Sequence, residues 1–427
     1  MNSNVNLNTD YDTNDIPKIG LCGFNNIGNT CYLNSILQLL IHSKVFVSFL
    51  LQNDFINYLE KASTQNIADL HRQKNNIDEN TQITINKSDI DNLMNYSIIS
   101  RLYEIVLIII NKGNSTISPV KLKESIKIKG SIDRKFESFR GFMQEDAHEF
   151  LIKLLDEIII ETGIKSKSTF NNVPDIIHVY KKLSKDVKQS LLNATDNDQK
   201  KIIIKSLNDF KINNKDIINK YNGLVFMSNI FKEKHNPFIF NLYSIIIYKL
   251  VCLNCNDINV NYEYHTILSI QVKNTVYDGF NAYFESEEVE SKCSCCNTSK
   301  KIKSIKIWKP SMLLFVHLNR FENLQDPNNL KKSNIRKINT IVDIPLELDI
   351  SDFYDSSMLP DVKYNKYKLK GYANHRGSSP HSGHYTADAM CINDNTWFHF
   401  DDSNVSKYNG NNINTSLAYV LMYEIDN

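Results

Sequence analysis

The chain has 427 residues, 49 of them basic and 48 acidic, for a formal net charge of +1. That balance argues against nucleic acid or an anionic membrane as the main partner. A hydrophobic fraction of 42% excludes a disordered protein and supports a sizeable core, in two or three domains or in one large domain with insertions.

Residues 1–18 read as a flexible polar arm with neither the basic nor the apolar region of a secretory signal. With no such signal, eight cysteines fit a reducing compartment, where thiol chemistry or metal binding is expected in place of disulfides. From Tyr32 to Leu51 the apolar positions Leu33, Ile36, Leu37, Leu40 and Ile41 follow helical spacing. Asn29 or Thr30 supplies the N-cap, which puts Cys31 in the first turn. Residues 62–93 are polar and aperiodic and read as a loop or an ill-ordered insertion. Residues 96–111 read as a core helix. Their apolar run, Ile105 to Ile110, is far short of the ~20 residues that span a bilayer.

"GFMQEDAHEFLIKLLDEII" (Gly141 to Ile159) carries an apolar stripe of Ala147, Phe150, Leu151, Leu154, Leu155 and Ile158. Residues 161–222 are rich in Lys and Asn and read as an insertion without chemistry of its own. After Phe226 the segments "FIFNLYSIIIYKLVC", "HTILSIQV", "MLLFVHLNRF" and "YKLKGYANH" read as strands. The end reads as a hairpin, "HYTADAMCINDNTWFHFDD", and a last buried strand, "LAYVLMYEI". Helices first and strands after predict an α+β fold.

Two cysteine clusters, "CLNC" (Cys252, Cys255) and "CSCC" (Cys293, Cys295, Cys296), lie about 40 residues apart. Each C-x-x-C turn folds two sulfurs toward one point, so Cys252, Cys255, Cys293 and Cys296 can give four thiolates to one tetrahedral Zn²⁺, with Cys295 to spare. Closed sites of four cysteines are structural. Reduced thiols without metal are the alternative.

Of the remaining cysteines, Cys391 is explained by packing and Cys22 has no helix behind it. Cys31 differs, because partial positive charge at a helix N-terminus stabilises a thiolate. A thiolate still needs an imidazole partner and an oxyanion donor. Among eleven histidines, His384 stands at a loop-to-strand junction, whereas His375 and His381 sit in the loop. A hairpin turn centred between Ile392 and Asn393 would pair His384 directly with Asp401 and turn Asp402 to the other face. A bulge would shift that register. For the oxyanion donor, Asn26 and Asn29 both precede Cys31, and the residues alone leave the choice open.

These stretches together resemble the ubiquitin-specific proteases, papain-like deubiquitinating cysteine peptidases. "GLCGFNNIGNTCYLNSILQLL" resembles that family's cysteine box. "GFMQEDAHEFLIKLLDEI" resembles its Gln-x-Asp-Ala-x-Glu-Phe helix. "MLLFVHLNRF" resembles its Leu-His-Leu-x-Arg-Phe strand, and "SGHYTADAM" with "WFHFDDSNV" its histidine box. The motifs run in family order from about Leu21 to Tyr423.

The resemblance implies one catalytic domain over 19–425. The helical thumb would occupy about 19–160, the insertion 161–222, fingers and palm 223–345, and palm with the histidine box 346–425. It implies Cys31 as nucleophile, His384 as general base and acid, Asp401 as the orienting residue and Asn26 as oxyanion donor. Asp146 and Tyr385 would hold the tail of ubiquitin. The four cysteines take the place of the fingers zinc site, and no catalytic cofactor is needed. The implied reaction is hydrolysis after ubiquitin's C-terminal glycine, on ubiquitin and ubiquitinated proteins, with a monomer expected. The absent secretion signal and the reduced cysteines predict the interior of a cell, cytoplasm or nucleus, of its own or of a host. Two rival readings are a catalytically silent ubiquitin-binding scaffold and a protease for a ubiquitin-like modifier.

Overall fold

The computed structural model describes residues 16–425 except 79–80, 82, 114, 166–174, 234, 327–328, 358–365, 409–412 and 414–415. The arm expected at 1–18 therefore lies outside the described residues, apart from its last three.

The first part is helical. It comprises α1 (Cys31–Ile41), α2 (Lys44–Leu50), α3 (Phe55–Asn75), α4 (Lys87–Tyr96), α5 (Ile98–Lys112), α6 (Val120–Ile132) and α7 (Ala147–Thr162). Two short strands, β1 (Gly23–Phe24) and β2 (Thr116–Ile117), pair in parallel beside it. The helix expected from Tyr32 to Leu51 is broken at His42 and Ser43, and its two halves diverge by 84°. Ser43 causes the break, since its hydroxyl accepts from the Phe46 amide and caps α2. The stretch 62–93, expected as a loop, is helical over most of its length in α3 and α4. Polar sequence hides this because those helices lie on the surface and α4 buries no residue at all.

The insertion expected at 161–222 folds over its described part into α8 (Asp175–Asn193), α9 (Asn197–Asn213) and α10 (Lys215–Glu233). The strand expected from Phe238 begins only at Ser244, because Asn236 caps a short helix, α11 (Pro237–Leu242), by accepting from the Phe238 amide. Further on, Thr275 and Asp278 form a reciprocal cap on α12 (Val276–Phe284).

Two sheets follow. β3 (Ser244–Cys252), β4 (Ile258–His265), β6 (Glu287–Glu290) and β7 (Lys300–Lys309) form a four-stranded sheet ordered β4-β3-β7-β6. The larger sheet uses β5 (Ile267–Gln271), β8 (Leu313–Asn319), β11 (Glu347–Asp349), β12 (Lys366–Ser379), β13 (Ser382–Met390), β14 (Trp397–Asp401), β15 (Asn404–Lys407) and β16 (Ala418–Ile425). Its order is β15-β14-β13-β12-β16-β8-β5, with β11 on β12. A separate hairpin joins β9 (Phe321–Asp326) and β10 (Asn329–Lys337).

α1 lies between the helices and the large sheet. All eleven of its residues are buried, and its apolar side chains join α7 and the palm residues Ala373, Tyr385 and Val420 in one core. The helical spacing of Leu33, Ile36, Leu37, Leu40 and Ile41 marks one face, and the fold buries the other faces as well. Truncating one of its leucines to alanine costs about 2–5 kcal/mol. Its polar residues find partners inside, as where Gln38 donates to the Cys22 carbonyl at 2.7 Å. Glu424 of β16 accepts from the Val45 amide and the Ser43 hydroxyl, which ties the start of α2 to the sheet. Among the described residues, no single helix is long and apolar enough to cross a membrane.

Candidate active site and metal centre

Thr30 is the N-cap of α1, so Cys31 is the first helical residue, and it is only 2% exposed. At this position its own N–H has no acceptor within the helix and points out of the helix start. The entry loop is shaped by Gly28 (φ 113°) and Asn29 (φ 50°), both left-handed.

β13 and β14 bring His384 and Asp401 together. His384 Nε2 lies 2.6 Å from Asp401 Oδ1. Cys31, at the start of α1, is the neighbouring group that raises the imidazole most, with Asp401 second, and together they bring it to about 9. With Nε2 engaged by the carboxylate, Nδ1 is the nitrogen left for the sulfur.

The hairpin register differs from the expected one. Met390 pairs with Trp397 and Ala387 with Phe400, so the next step puts Asp401 level with Thr386 and not with His384. The turn is longer than the two-residue loop expected. It closes with Cys391 N donating to Thr396 O, and Asn395 takes a left-handed φ of 56°. The shift is two residues, which preserves the face. His384 and Asp401 meet diagonally, where Cα separations of about 7–8 Å remain within reach of long side chains.

Asn26 Oδ1 accepts from the amides of Gly28 (3.2 Å) and Thr30 (3.1 Å), which fixes its Nδ2 toward Asp402 Oδ2 at 2.9 Å. The second amide hydrogen is not used in these contacts. Asn29 spends its amide on the Phe142 carbonyl at 2.8 Å. The sequence expectation turns Asp402 away from His384, but its carboxylate lies within 4.8 Å of both the His384 ring and the Asp401 carboxylate. Asp402 stands just past the end of β14 with a left-handed φ of 51°, where strand alternation no longer sets the direction. Its other oxygen accepts from Asn34 of α1 at 2.8 Å, and its carbonyl accepts from the Phe24 amide. Asp402 thus fastens the loop that carries Asn26 to α1, the helix that carries Cys31. No pattern in the sequence marks this role, or that of Asn34.

These two aspartates give separable outcomes. Asp402→Ala lowers kcat about tenfold by loosening Asn26, since losing an oxyanion donor outright costs about 10²–10³. Asp401→Ala costs more. Steady-state hydrolysis by both variants checks the order, and a larger loss for Asp402→Ala would reject these roles.

Asp146 caps α7 by accepting from the amides of His148 (2.7 Å) and Glu149 (3.1 Å), and its second oxygen accepts from the Tyr419 hydroxyl at 2.6 Å. Tyr385 is buried, its hydroxyl on the Pro380 carbonyl at 3.1 Å and its ring against His375. Both residues flank the seam between α7 and the sheet. Across it, His381 Nδ1 lies 3.6 Å from Glu145 Oε2. Cys22 is buried and donates to the Ser115 carbonyl, and Cys391 is buried in the hairpin turn. Neither stands at a helix start.

The cysteine clusters sit at the tips of the β3–β4 and β6–β7 hairpins. They fold alike, with Asn256 N donating to Cys252 O and Asn297 N to Cys293 O, both at 3.0 Å, and with both asparagines left-handed. Sulfurs of Cys252, Cys255, Cys293 and Cys296 lie within 4.8 Å of one another, with Cys252–Cys296 and Cys255–Cys293 each 3.6 Å apart. A tetrahedral Zn²⁺ with ~2.3 Å bonds requires sulfurs about 3.8 Å apart, so the four fit a metal ion. Cys295 stays outside the cluster and donates its amide to Cys293 Sγ at 3.4 Å.

Comparison with known proteins agrees with this geometry. A probable ubiquitin carboxyl-terminal hydrolase of Acanthamoeba polyphaga mimivirus is 27% identical over 465 residues, covering 99% of this chain and 94% of the relative. Ubiquitin carboxyl-terminal hydrolase 4 of Arabidopsis thaliana is 26% identical over 421 residues, covering 94% of this chain and 92% of the relative. The fold is similar to a chain of the SAGA Ubp8/Sgf11/Sus1/Sgf73 DUB module bound to ubiquitin aldehyde. The TM-score is 0.57 at 19% identity, over 96% of this chain and 70% of that one. The family model for ubiquitin carboxyl-terminal hydrolase spans residues 22–423, from just before β1 into the last strand, and this chain belongs to that family.

Proposed function

We propose that this chain is a thiol-dependent deubiquitinase that cleaves the isopeptide or peptide bond after the C-terminal glycine of ubiquitin. The observation that carries the reading is the meeting of Cys31, His384 and Asp401 at the start of α1. The Cys31 thiolate attacks the glycine carbonyl carbon, and the oxygen takes the negative charge between the Asn26 amide and the Cys31 N–H. The C–N bond breaks, His384 gives its proton to the leaving lysine amine, and a thioester remains. His384 then takes a proton from water as that water attacks the thioester. This releases the carboxylate and restores the thiolate–imidazolium pair. Asp401 holds the ring throughout.

The four-cysteine cluster is read as a structural zinc site. Zinc would pin the two hairpin tips together and take no part in the steps above.

Ubiquitin carrying a C-terminal thiol-reactive group tests the assignment. The wild-type chain forms a single adduct of one ubiquitin, and Cys31→Ala forms none. An undiminished adduct in Cys31→Ala, or none in the wild type, would overturn the reading. Absence of the adduct with intact ubiquitin binding would favour the silent scaffold.

A further inference from the structure

A second concave site lies behind the helical thumb, away from Cys31. Helices α3, α4, α6 and α7 enclose a cavity of about 350 Å³. Its walls and mouth include Leu70, Leu93, Tyr96 and Ile132, which are 64%, 39%, 51% and 79% exposed. Large apolar side chains so exposed and so close together mark a binding surface more often than a free one.

α4 supplies a separate observation. Ile90, Leu93 and Met94 follow helical spacing, yet the helix buries no residue. Its N-terminal end is tethered by Lys87 to Glu60 at 3.0 Å. An amphipathic helix normally gains its stability by covering its apolar face. Met94 packs against the main core, whereas Leu93 and Tyr96 line the cavity and stay exposed, and a molecule in the cavity would cover them.

The cavity floor is charged. Glu157 and Glu161 stand one turn apart on α7. Glu157 is 1% exposed and is paired with Lys129 at 2.5 Å. Glu161 accepts from Ser97 Oγ and the amides of Ile98 and Ile99, and opens on the cavity. Among the described residues Lys129 is the one cation paired with these two carboxylates, and it is paired with Glu157. Burial, with the Glu157 charge second, pushes Glu161 above the usual carboxylate range. Asp69, nearer the mouth, already has Arg72 and Lys165. Among the described residues no lysine or arginine pairs with Glu161, which rests on the Ser97 hydroxyl and the α5 amides, so the floor is where a second cation would find a carboxylate.

We propose that this cavity docks a partner polypeptide that inserts an arginine or lysine side chain, with apolar residues on either side of it. The aliphatic stem would lie along Leu93 and the other apolar walls, the cationic head would reach Glu161 and Glu157, and the flanking residues would cover Leu70, Tyr96 and Ile132. The apolar rim extends beyond the cavity itself, which favours a polypeptide over a small cation.

The test uses the full chain and two capped tripeptides, Leu-Arg-Leu and Leu-citrulline-Leu, titrated by calorimetry. Citrulline keeps the shape of arginine and removes the charge. The arginine peptide binds saturably, and the citrulline peptide binds at least tenfold more weakly. Glu161→Gln reduces that discrimination to less than threefold. Because Glu161 also caps α5, a second variant is needed. Leu70→Asn combined with Ile132→Asn alters only exposed side chains, keeps the ubiquitin adduct at Cys31, and weakens the arginine peptide at least fivefold.

The proposal is overturned by absence of saturation at millimolar peptide, by equal affinity for the two peptides, or by unchanged affinity in the double variant. Binding of n-butylguanidine as tight as the peptide would replace the polypeptide with a small cation. A dimer that the double variant abolishes would replace it with a second copy of this chain.

Discussion

Replacing Asp401 with alanine lowers kcat by about 10²–10³-fold, within the range of a lost acid–base contribution, and shifts the basic limb of the pH profile downward. The pair acts on the charged ring. Cys31 first and Asp401 second raise His384 from its ordinary value near 6.5 to about 9. A folded-state value above the unfolded one means that the stabilisation is complete below about pH 6.5 and is lost as pH rises through about 9. The imidazolium is also the form that protonates the leaving amine, so kcat/KM falls over the same upper range. In Asp401→Ala the limb moves down but stays above 6.5, because the Cys31 contact remains. In Asp401→Asn the amide oxygen still accepts from Nε2 without the charge, and the loss is nearer tenfold. NMR titration of the His384 ring in Cys31→Ala separates the two causes, since only the Asp401 share survives. A basic limb unmoved in Asp401→Ala would exclude this coupling.

Removing the metal from the hairpin tips gives the second large effect. Elemental analysis of purified protein returns about one zinc per chain. Cys252→Ser combined with Cys293→Ser abolishes it, and Tm falls by about 10 °C or more, because structural zinc contributes several kcal/mol to folding. The loss has a local origin: each hairpin tip provides two of the four sulfurs, and without the ion four thiols stand within 4.8 Å of one another. Cys295→Ser keeps both the zinc and the Tm, since its sulfur lies outside the cluster. Equal loss of metal in Cys295→Ser would reassign the ligands. A stable, metal-free wild-type chain would remove zinc from the account.

Much of this site is legible in the amino-acid sequence. A cysteine at a helix start, a histidine at a strand entry and two C-x-x-C turns each follow from local chemistry, and local chemistry is written in neighbouring residues. The fold departs from expectation where the deciding partner is distant or the surface is polar. α3 and α4 carry too few apolar residues for their period to stand out, because they cover little core. The helix at 237–242 is set by one asparagine cap against an apolar run that reads as a strand. The hairpin register differs by two because four loop residues, including a left-handed Asn395, turn the chain where a two-residue loop is expected. Side chains alternate with a period of two, so that difference leaves Asp401 on the face of His384. Asp402 is illegible for the opposite reason. Its partners, Asn26 and Asn34, are hundreds of residues earlier, and nothing near it announces them.

The helix that carries Cys31 is buried on every side by both halves of the protein. Neither half can lose its order and leave the sulfur correctly presented. Thiol labelling by a ubiquitin probe therefore reports more than chemistry. It is a gauge of the integrity of the whole molecule, read at a single atom. An unreactive variant should be taken as catalytically impaired only once its folding has been measured by other means.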